Sequence, residues 1–352
     1  MHKEFRAGLI GVTGYTGMEL VRLLASHPCM RLNFAASRSE AGKRLGDHYP
    51  FLEKLPGADI IIQQPDAQQA AAQCDLVFLA VPHGAAMNFA AELRAEELVV
   101  VDLSADFRIR DVAVFEQWYA TTHSQRTLLK EAVYGLPELY GEDIAIARLV
   151  ANPGCYPTAS ILGLYAALKH GFISNEDLVI DAKSGTSGAG RKAAVSTLFC
   201  EVHDSFRAYN LGGKHRHTPE IEQELSVVVG APVRLSFNPH LVPIDRGIHA
   251  TIYAKLKGEH TLDEIHAAHV ECWKDAPWVR VLPKDGLPET RNVRGTMFCD
   301  IGLTLDPRTK RLIICSVIDN LCRGASGQAL ANANLMCGLP VDCGFIQAPL
   351  MP

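Results

Sequence analysis

One cysteine of this sequence stands where a thiol could act as a nucleophile. Cys155 follows a Pro-Gly turn in the stretch ANPGCYPTAS, and Pro157 suits the first position of a helix because proline needs no N–H there. We therefore expect Cys155 immediately before a helix N-terminus, whose positive end favours a thiolate. Most of the other cysteines lie in apolar segments such as RLIICSV, where the ordinary role is a small buried hydrophobe. Covalent catalysis at Cys155 is the prediction.

A thiol nucleophile needs a partner that takes and returns protons. The stretch KHRHTPEIEQEL offers His215 and His217 just ahead of a helix that begins near Thr218. Histidine suits the task because its ordinary pKa lies near neutrality. Two other readings of the pair are metal ligands and structural histidines. We predict no metal, because no third ligand stands at metal-site spacing.

Several cations and a glycine-rich loop could hold anionic groups of a substrate. The loop KSGTSGAGRKA (183–193) combines free backbone N–H groups with Arg191. Arg108 follows an apolar strand on the ligand side of the predicted sheet, and Arg246 lies in PIDRGIHAT. Each arginine alone is a weak signal, but together they indicate a site for two anionic groups.

The N-terminal stretch GVTGYTG is typical of a loop that binds a dinucleotide. Gly11, Gly14 and Gly17 lie between an apolar strand and a helix, where glycines allow a sharp turn close to a pyrophosphate. The spacing is GxxGxxG rather than GxGxxG, so the context carries the inference and a plain tight turn is the alternative. The second strand ends in Ser37 and Arg38 instead of an acidic residue. Hydroxyls and a guanidinium suit a 2′-phosphate, so we expect NADP(H) rather than NAD(H).

The elements that position these residues fall into two halves. Apolar strands alternate with helices up to about residue 104, which predicts an α/β, Rossmann-type doubly wound parallel sheet. Beyond Cys155, longer alternating strands predict an α+β domain with a mostly antiparallel sheet. We expect a dinucleotide-binding domain at 1–154, with a C-terminal helix in 322–352 packing back on it, and a catalytic and oligomerisation domain at 155–321.

Composition narrows the partners to small molecules. A net charge of −5 argues against nucleic acid as the main partner. No apolar run reaches the ~18 residues of a membrane span, and the N-terminal stretch leaves no room for a signal peptide. We therefore expect no membrane association and a cytoplasmic location.

With these residues assembled, the sequence resembles the N-acetyl-γ-glutamyl-phosphate reductase family over essentially its whole length. The motifs GVTGYTG, NPGCYPT, SGTSGAGR, HRHTPEI and DNL occur in the expected order, and GCYPT with HRHTPEI is the specific pair. The resemblance implies an NADPH-dependent oxidoreductase of arginine biosynthesis. In this family a cysteine attacks the acyl phosphate and expels phosphate, which leaves the acyl group bound to the cysteine as a thioester. Hydride transfer to this thioester then yields N-acetylglutamate 5-semialdehyde.

The resemblance also implies roles for individual residues. His217 matches the acid/base position, and His215 and Tyr209 match substrate-contacting positions. Arg108 is implied to hold the phosphate and Arg191 the substrate carboxylate. Such families are usually homodimers or homotetramers. The implied cofactor-binding residues are Gly11, Thr13, Gly14, Tyr15, Thr16, Gly17, Ser37, Arg38, Ser187, Gly188 and Asn320.

Three alternative functions stay open at this point. Aspartate-semialdehyde dehydrogenase usually has Asn directly before the nucleophile, where this chain has Gly154. A reductase of carrier-protein-linked aminoadipyl phosphate would share the chemistry, and a basic rim around the site would favour it. An NADP-binding redox sensor without turnover would need the glycine loop but not Cys155 and His217 together.

Overall fold

The structure, a computed structural model, describes residues 4–351. These residues form two compact units. The first unit runs to Pro153 and includes Ala325–Ile346, and the second unit comprises Gly154–Gly324 with the end of the chain from Gln347. The division beside Cys155 thus lies one residue before the expected boundary, and the C-terminal boundary lies at 324/325 rather than 321/322.

The first unit contains a six-stranded sheet in which every neighbouring pair is parallel, in the order β2-β1-β3-β4-β6-β5. The central strands are buried on both faces because helices cover them, as the continuous apolar runs predict. The strands are β1 Phe5–Ile10, β2 Met30–Ala36, β3 Leu76–Leu79, β4 Val99–Asp102, β5 Val133–Tyr134 and β6 Leu149–Ala151. The helices are α1 Tyr15–Leu24, α2 Leu45–His48, α3 Ala67–Gln73, α4 Ala86–Ala95, α5 Val112–Tyr119, α6 Arg126–Glu131 and α7 Pro137–Ile146.

The second unit contains a seven-stranded mixed sheet in the order β11-β12-β13-β10-β7-β9-β8, in which most neighbouring pairs are antiparallel. Its strands are β7 Leu178–Ser184, β8 Arg207–Ala208, β9 Leu235–Leu241, β10 Ile248–Lys255, β11 Val279–Val281, β12 Cys299–Asp306 and β13 Arg311–Ile318. Its helices are α8 Cys155–Lys169, α9 Phe199–Val202, α10 Thr218–Val229 and α11 Leu262–Trp273. Both predicted sheet types are therefore confirmed.

Helix α8 is the buried centre of the second unit. Most of its side chains are inaccessible to solvent, and it packs on β10 and β13 of the sheet and on α10. Gly163 lets the sheet approach closely, since a β-carbon there would fall 3.0 Å from the Ser316 β-carbon. A helix packed on so many sides has a fixed N-terminus, and Cys155 is the first residue of this helix.

The chain returns to the first unit within a π-helical turn, Cys322–Ser326. Helix α12, Gly327–Met336, then packs on α7, β4 and α1. Gln328 and Asn332 of this helix are fully buried, and both side-chain amides donate to the Gly135 carbonyl at 2.9 Å. Across residues 4–351, no helix is both long enough and apolar enough to cross a membrane.

Candidate active site

The nucleophile candidate lies within the first turn of α8 rather than before it. Gly154 is the N-cap, with an extended backbone and no capping side chain, and Cys155 is the first helical residue. The prediction that Pro157 occupies the first position is therefore wrong. Proline also fits the third position, whose N–H has no partner within the helix either. The positive end of α8 lies at the half-buried Cys155 thiol.

A glycine backbone packs against Cys155 from the end of the second unit. A β-carbon on Gly324 would fall 2.6 Å from the Cys155 β-carbon and 3.1 Å from its α-carbon. Any larger residue at 324 would displace the start of α8. Gly324 belongs to the π-helical turn, which no sequence pattern indicated.

The imidazole of His217 lies against Gly154, the residue before the nucleophile. A β-carbon on Gly154 would fall 2.6 Å from His217 Nε2. His217 is the N-cap of α10, and its backbone N–H donates to His215 Nδ1 at 3.1 Å. His217 therefore lies against the residue that directly precedes Cys155, and the predicted proton transfer between Cys155 and His217 stays a prediction.

A buried carboxylate that sequence reasoning missed ties α10 to the start of α8. Glu220 is fully buried, and its Oε1 accepts a hydrogen bond from the Gly154 N–H at 2.8 Å. Glu220 is the third residue of α10, where a carboxylate usually serves its own helix terminus. The only available signal was its position three residues after His217 in HRHTPEI.

Aromatic side chains form one wall of the site. The hydroxyls of Tyr156 and Tyr209 are 3.0 Å apart, and the Tyr156 ring packs edge-on against His215, His217 and Phe237. Burial, with the neighbouring Tyr209, raises the pKa of Tyr156, and burial raises the pKa of Tyr209 to about 12. Both phenols therefore stay protonated and can donate hydrogen bonds at neutral pH.

His215 is kept neutral by the same wall. Burial, followed by the nearby charge of Arg216, lowers the pKa of His215 to about 4. Its ring packs 4.9 Å from the ring of His217 and 5.6 Å from that of Tyr209, measured between centroids. A neutral imidazole can orient a polar ligand without adding charge beside His217.

Asn320 fastens the glycine-rich loop after β7. Its Oδ1 accepts from the Gly247 N–H at 2.7 Å, and its Nδ2 donates to Ser187 Oγ at 2.9 Å. Ser187 Oγ also donates to the Asp245 carbonyl at 2.6 Å, while Gly188 beside it is exposed. Asn320 and Ser187 thus hold each other in place, and their predicted contact with a cofactor stays a prediction.

The predicted arginine anion binders lie in different settings. Arg191 is exposed on the loop between β7 and α9. Arg246 forms an ion pair with the fully buried Asp319, with 3.2 Å between Nε and Oδ2. Arg108, in the first unit, is 5% exposed and donates to the carbonyls of Asn152 at 2.7 Å and Leu103 at 2.8 Å. Arg108 therefore braces the loop after β4, and its role toward phosphate stays a prediction.

The glycine loop of the first unit fits a dinucleotide. Gly11 has φ +94°, and a β-carbon there would fall 2.2 Å from the Ala80 carbonyl oxygen. Gly17 could not carry a β-carbon either, since it would meet the Gly11 carbonyl at 2.5 Å. Gly14, the N-cap of α1, has no capping side chain, and a β-carbon there would meet only ordinary contacts at 3.9 Å or more. The first-turn N–H groups of α1, at Tyr15, Thr16 and Gly17, are thus left for an anionic ligand.

Hydroxyls and one exposed cation follow at the end of β2. The hydroxyls of Thr13 and Ser37 are 3.3 Å apart, and those of Ser37 and Ser39 are 3.4 Å apart. Arg38 is exposed, with its guanidinium 5.7 Å from the centroid of the Phe89 ring. These hydroxyl groups and the guanidinium fit a ribose that carries a 2′-phosphate. The end of β2 lacks the acidic residue that is typical of an NAD site. Among residues 4–351, no three or more His, Cys, Asp or Glu side chains are grouped as metal ligands.

Comparison with known proteins agrees with both units. The family described as "Semialdehyde dehydrogenase, NAD binding domain" matches residues 6–147, and "Semialdehyde dehydrogenase, dimerisation domain" matches residues 155–320. Among solved structures, aspartate semialdehyde dehydrogenase II complexed with ASA from Vibrio cholerae has a TM-score of 0.72 at 15% identity, covering 96% of this chain and 99% of that one. Aspartate semialdehyde dehydrogenase with NADP from Candida albicans has a TM-score of 0.72 at 17% identity, covering 95% of this chain and 99% of that one. These structures share the fold.

Curated relatives are far closer in sequence. N-acetyl-gamma-glutamyl-phosphate reductase of Desulfotalea psychrophila is 48% identical over 347 residues, covering 99% of both chains. The protein of the same name from Symbiobacterium thermophilum is 49% identical over 348 residues, with the same coverage. The chain therefore belongs to the N-acetyl-gamma-glutamyl-phosphate reductase family, within the semialdehyde dehydrogenases.

Proposed function

We propose that this protein catalyses the NADPH-dependent reduction of N-acetyl-L-glutamyl 5-phosphate to N-acetyl-L-glutamate 5-semialdehyde and phosphate, a step of arginine biosynthesis. One observation carries the proposal: Cys155 begins a buried helix with the His217 imidazole against the preceding Gly154. The full-length identity to reductases of that name supports the choice of substrate.

Cys155 is the covalent nucleophile in this proposal. Its thiolate attacks the acyl carbon, a C–S bond forms, and the C–O bond to phosphate breaks with the electron pair leaving on phosphate. The positive end of α8 stabilises the thiolate. The Cys155 side chain is only half-buried, so a substrate can reach it. Gly324 and the Glu220–Gly154 hydrogen bond fix the backbone on either side of the sulfur.

His217 transfers the proton. It accepts the thiol proton before attack and returns it to the sulfur when the thiohemiacetal collapses to the aldehyde. NADPH, when bound, supplies the hydride that takes the thioester to the thiohemiacetal. The contact with Gly154 keeps the imidazole beside the nucleophile through both steps.

The proposed substrate contacts are Tyr209 and the neutral His215, since both present hydrogen-bonding groups in the wall beside Cys155. Arg108 and Arg191 are kept as proposed binders of the phosphate and the carboxylate. For the cofactor, the proposed residues are the α1 N-terminus with its three glycines, and Ser37 and Arg38 for the 2′-phosphate. Asn320 is proposed near the nicotinamide carboxamide, and Ser187 and Gly188 are proposed as further cofactor-binding residues.

The second unit matches a dimerisation domain, and we propose a homodimer or homotetramer on that basis. Its segment 195–211 carries exposed apolar side chains that suit a subunit contact, at Val195, Leu198, Phe199, Phe206 and Leu211. All ten cysteines are free, which fits the proposed cytoplasmic location because thiols persist in a reducing compartment.

The test runs the reaction in reverse, following NADP reduction at 340 nm with N-acetylglutamate semialdehyde, with and without phosphate. Phosphate-dependent turnover of this substrate, and none of aspartate semialdehyde, is the expected result. Cys155→Ser should abolish turnover while NADP binding stays nearly unchanged. Residual turnover in that variant would remove the covalent mechanism, and turnover of neither aldehyde would favour a carrier-linked substrate or a sensor.

A further inference from the structure

A buried asparagine lies shortly before the proposed nucleophile and is hydrogen-bonded through both its backbone and its side chain. Asn152 is 1% exposed and directly follows β6. Its backbone N–H donates to the Asp102 carbonyl at 2.8 Å, and its carbonyl accepts from Arg108 Nε at 2.7 Å. Its side-chain Oδ1 accepts from Asn332 Nδ2 at 3.1 Å, and its own Nδ2 donates to the Ala325 carbonyl at 3.1 Å. These bonds to separate segments of the chain fix the orientation of the amide.

The bond to Ala325 joins the two places where the chain passes between its compact units. The first unit ends at Pro153 and resumes at Ala325, so Asn152 lies just before the first passage and Ala325 just after the second. Beyond these passages the Gly324 backbone packs on Cys155, where a β-carbon at 324 would fall 2.6 Å from the Cys155 β-carbon. The side chain of Asn152 therefore ties together the two segments that meet at the nucleophile.

Asn332 of α12 is itself held in place on the far side of this amide. It is fully buried, and its Nδ2 also donates to the Gly135 carbonyl at 2.9 Å. A β-carbon on Gly135 would fall 2.4 Å from the same Nδ2, so glycine is required there to admit the amide. The orientation of Asn152 is thus set by buried neighbours that are themselves fixed.

We propose that Asn152 is a positioning residue for Cys155, an inference that rests on the proposed function in taking Cys155 as the nucleophile. Its amide holds the chain that enters α8 to the chain that leaves Gly324, so the thiol keeps its place at the positive end of α8. Asn152 acts through the backbone in this role and not by touching the reacting atoms. Arg108 contributes through the same residue, because its bond to the Asn152 carbonyl braces the same segment.

The test compares Asn152→Ala with Asn334→Ala as a matched control. Asn334 is a fully buried asparagine of the same unit whose Nδ2 donates to the carbonyls of Val341 and Cys343, so its loss carries a similar structural cost away from Cys155. Two quantities are measured on the folded proteins: kcat for N-acetylglutamate semialdehyde with phosphate and NADP, and the rate at which iodoacetamide alkylates Cys155, read by peptide mass spectrometry. We expect both to fall by about tenfold in Asn152→Ala, with an unchanged KM for NADP, and to stay normal in the control.

Asn332→Ala keeps the test decisive if Asn152→Ala does not fold. This change removes the donor to Asn152 Oδ1, while Gln328 still donates to the Gly135 carbonyl. It should slow the alkylation of Cys155 less than Asn152→Ala does and should add no further loss in the double variant, because both changes act through one amide.

Alkylation at the normal rate in the folded variants of Asn152 and Asn332, equal slowing in Asn334→Ala, or additive losses in the double variant would overturn the proposal. The alkylation rate does not depend on which aldehyde is the substrate. Slow alkylation in Asn152→Ala, combined with no turnover of the acetylated aldehyde by the unmutated protein, would therefore remove the proposed function and leave this inference standing.

Discussion

The imidazole of His217 lies over the α-carbon of Gly154, so that a β-carbon at residue 154 would fall 2.6 Å from Nε2, 2.9 Å from Cε1 and 3.0 Å from Cδ2. The backbone of Gly154, at φ −68° and ψ 154°, is one that any residue adopts. Glycine is therefore needed here for space and not for backbone freedom. The position of the proposed base depends on the absence of one methyl group beside the nucleophile.

Gly154→Ala should accordingly impair catalysis far more than folding. The methyl group displaces the imidazole, and a displacement of about 1 Å can cost on the order of a hundredfold in rate. We expect kcat to fall by about that factor while the affinity for NADPH is retained. Gly141→Ala is the matched control, because nothing lies within 4 Å of a β-carbon there. Unchanged kcat in the 154 variant would mean that the imidazole is not used where it lies.

Glu220 and Gly154 give a second test, of positioning rather than of chemistry. Glu220→Ala leaves the buried Gly154 N–H without its acceptor, which costs about 1–3 kcal/mol in the free energy of unfolding. Glu220→Gln keeps an acceptor oxygen and should recover most of the stability and the rate. Urea unfolding and kcat are measured on both variants. A glutamine variant as impaired as the alanine one would show that the negative charge, and not the hydrogen bond, is what matters.

The sequence predicts the chemical groups of this site better than their arrangement. The helix beginning after His217 and the helix beginning at Cys155 are both readable from proline and apolar spacing. The contact between them joins residues 154 and 217 and depends on how α8 and α10 pack, which no local pattern encodes. Glu220 was missed for the same reason, since its partner is remote in sequence.

The secondary structure likewise separates into elements that a local sequence pattern predicts and elements that tertiary packing decides. The continuous apolar strands of the first unit and the longer alternating strands of the second unit predict the two sheet types, because burial on both faces or on one face leaves a clear pattern. The two- and three-residue strands β5 and β6 and the short helices α5 and α6 were not predicted. Elements of that length carry too few residues for a period to be seen, and tertiary packing decides them.

His215 should make stability fall on the acid side of neutrality. Its pKa is about 4 in the folded protein and near 6.5 when exposed, so between these values the unfolded chain binds a proton that the folded chain does not. The stabilisation is therefore complete above about pH 6.5 and is lost as the pH falls toward 4. His269, whose pKa burial also lowers to about 4, acts in the same direction.

His215→Asn should remove only part of this loss, because His269 remains. The free energy of unfolding, measured by urea titration from pH 7.5 to 4.5, should decline less steeply in the variant, by about 1–2 kcal/mol over the range. The partial exposure of His215 keeps the difference below the full value of its pKa shift. A decline as steep as that of the unmutated protein would mean that His215 is protonated in the folded state as well.

We expect Arg38 to decide the choice between the two nicotinamide cofactors. Its guanidinium is exposed beside Ser37 and Ser39, where it can pair with a 2′-phosphate. A hydrogen bond to a charged group contributes about 1.5–3 kcal/mol, so Arg38→Ala should raise the KM for NADPH by about tenfold to a hundredfold. The KM for NADH, which lacks the phosphate, should hardly change. Arg126→Ala removes an exposed arginine of the same unit from α6 and serves as the control. Equal losses for both cofactors in the Arg38 variant would show that this residue supports the loop and does not read the phosphate.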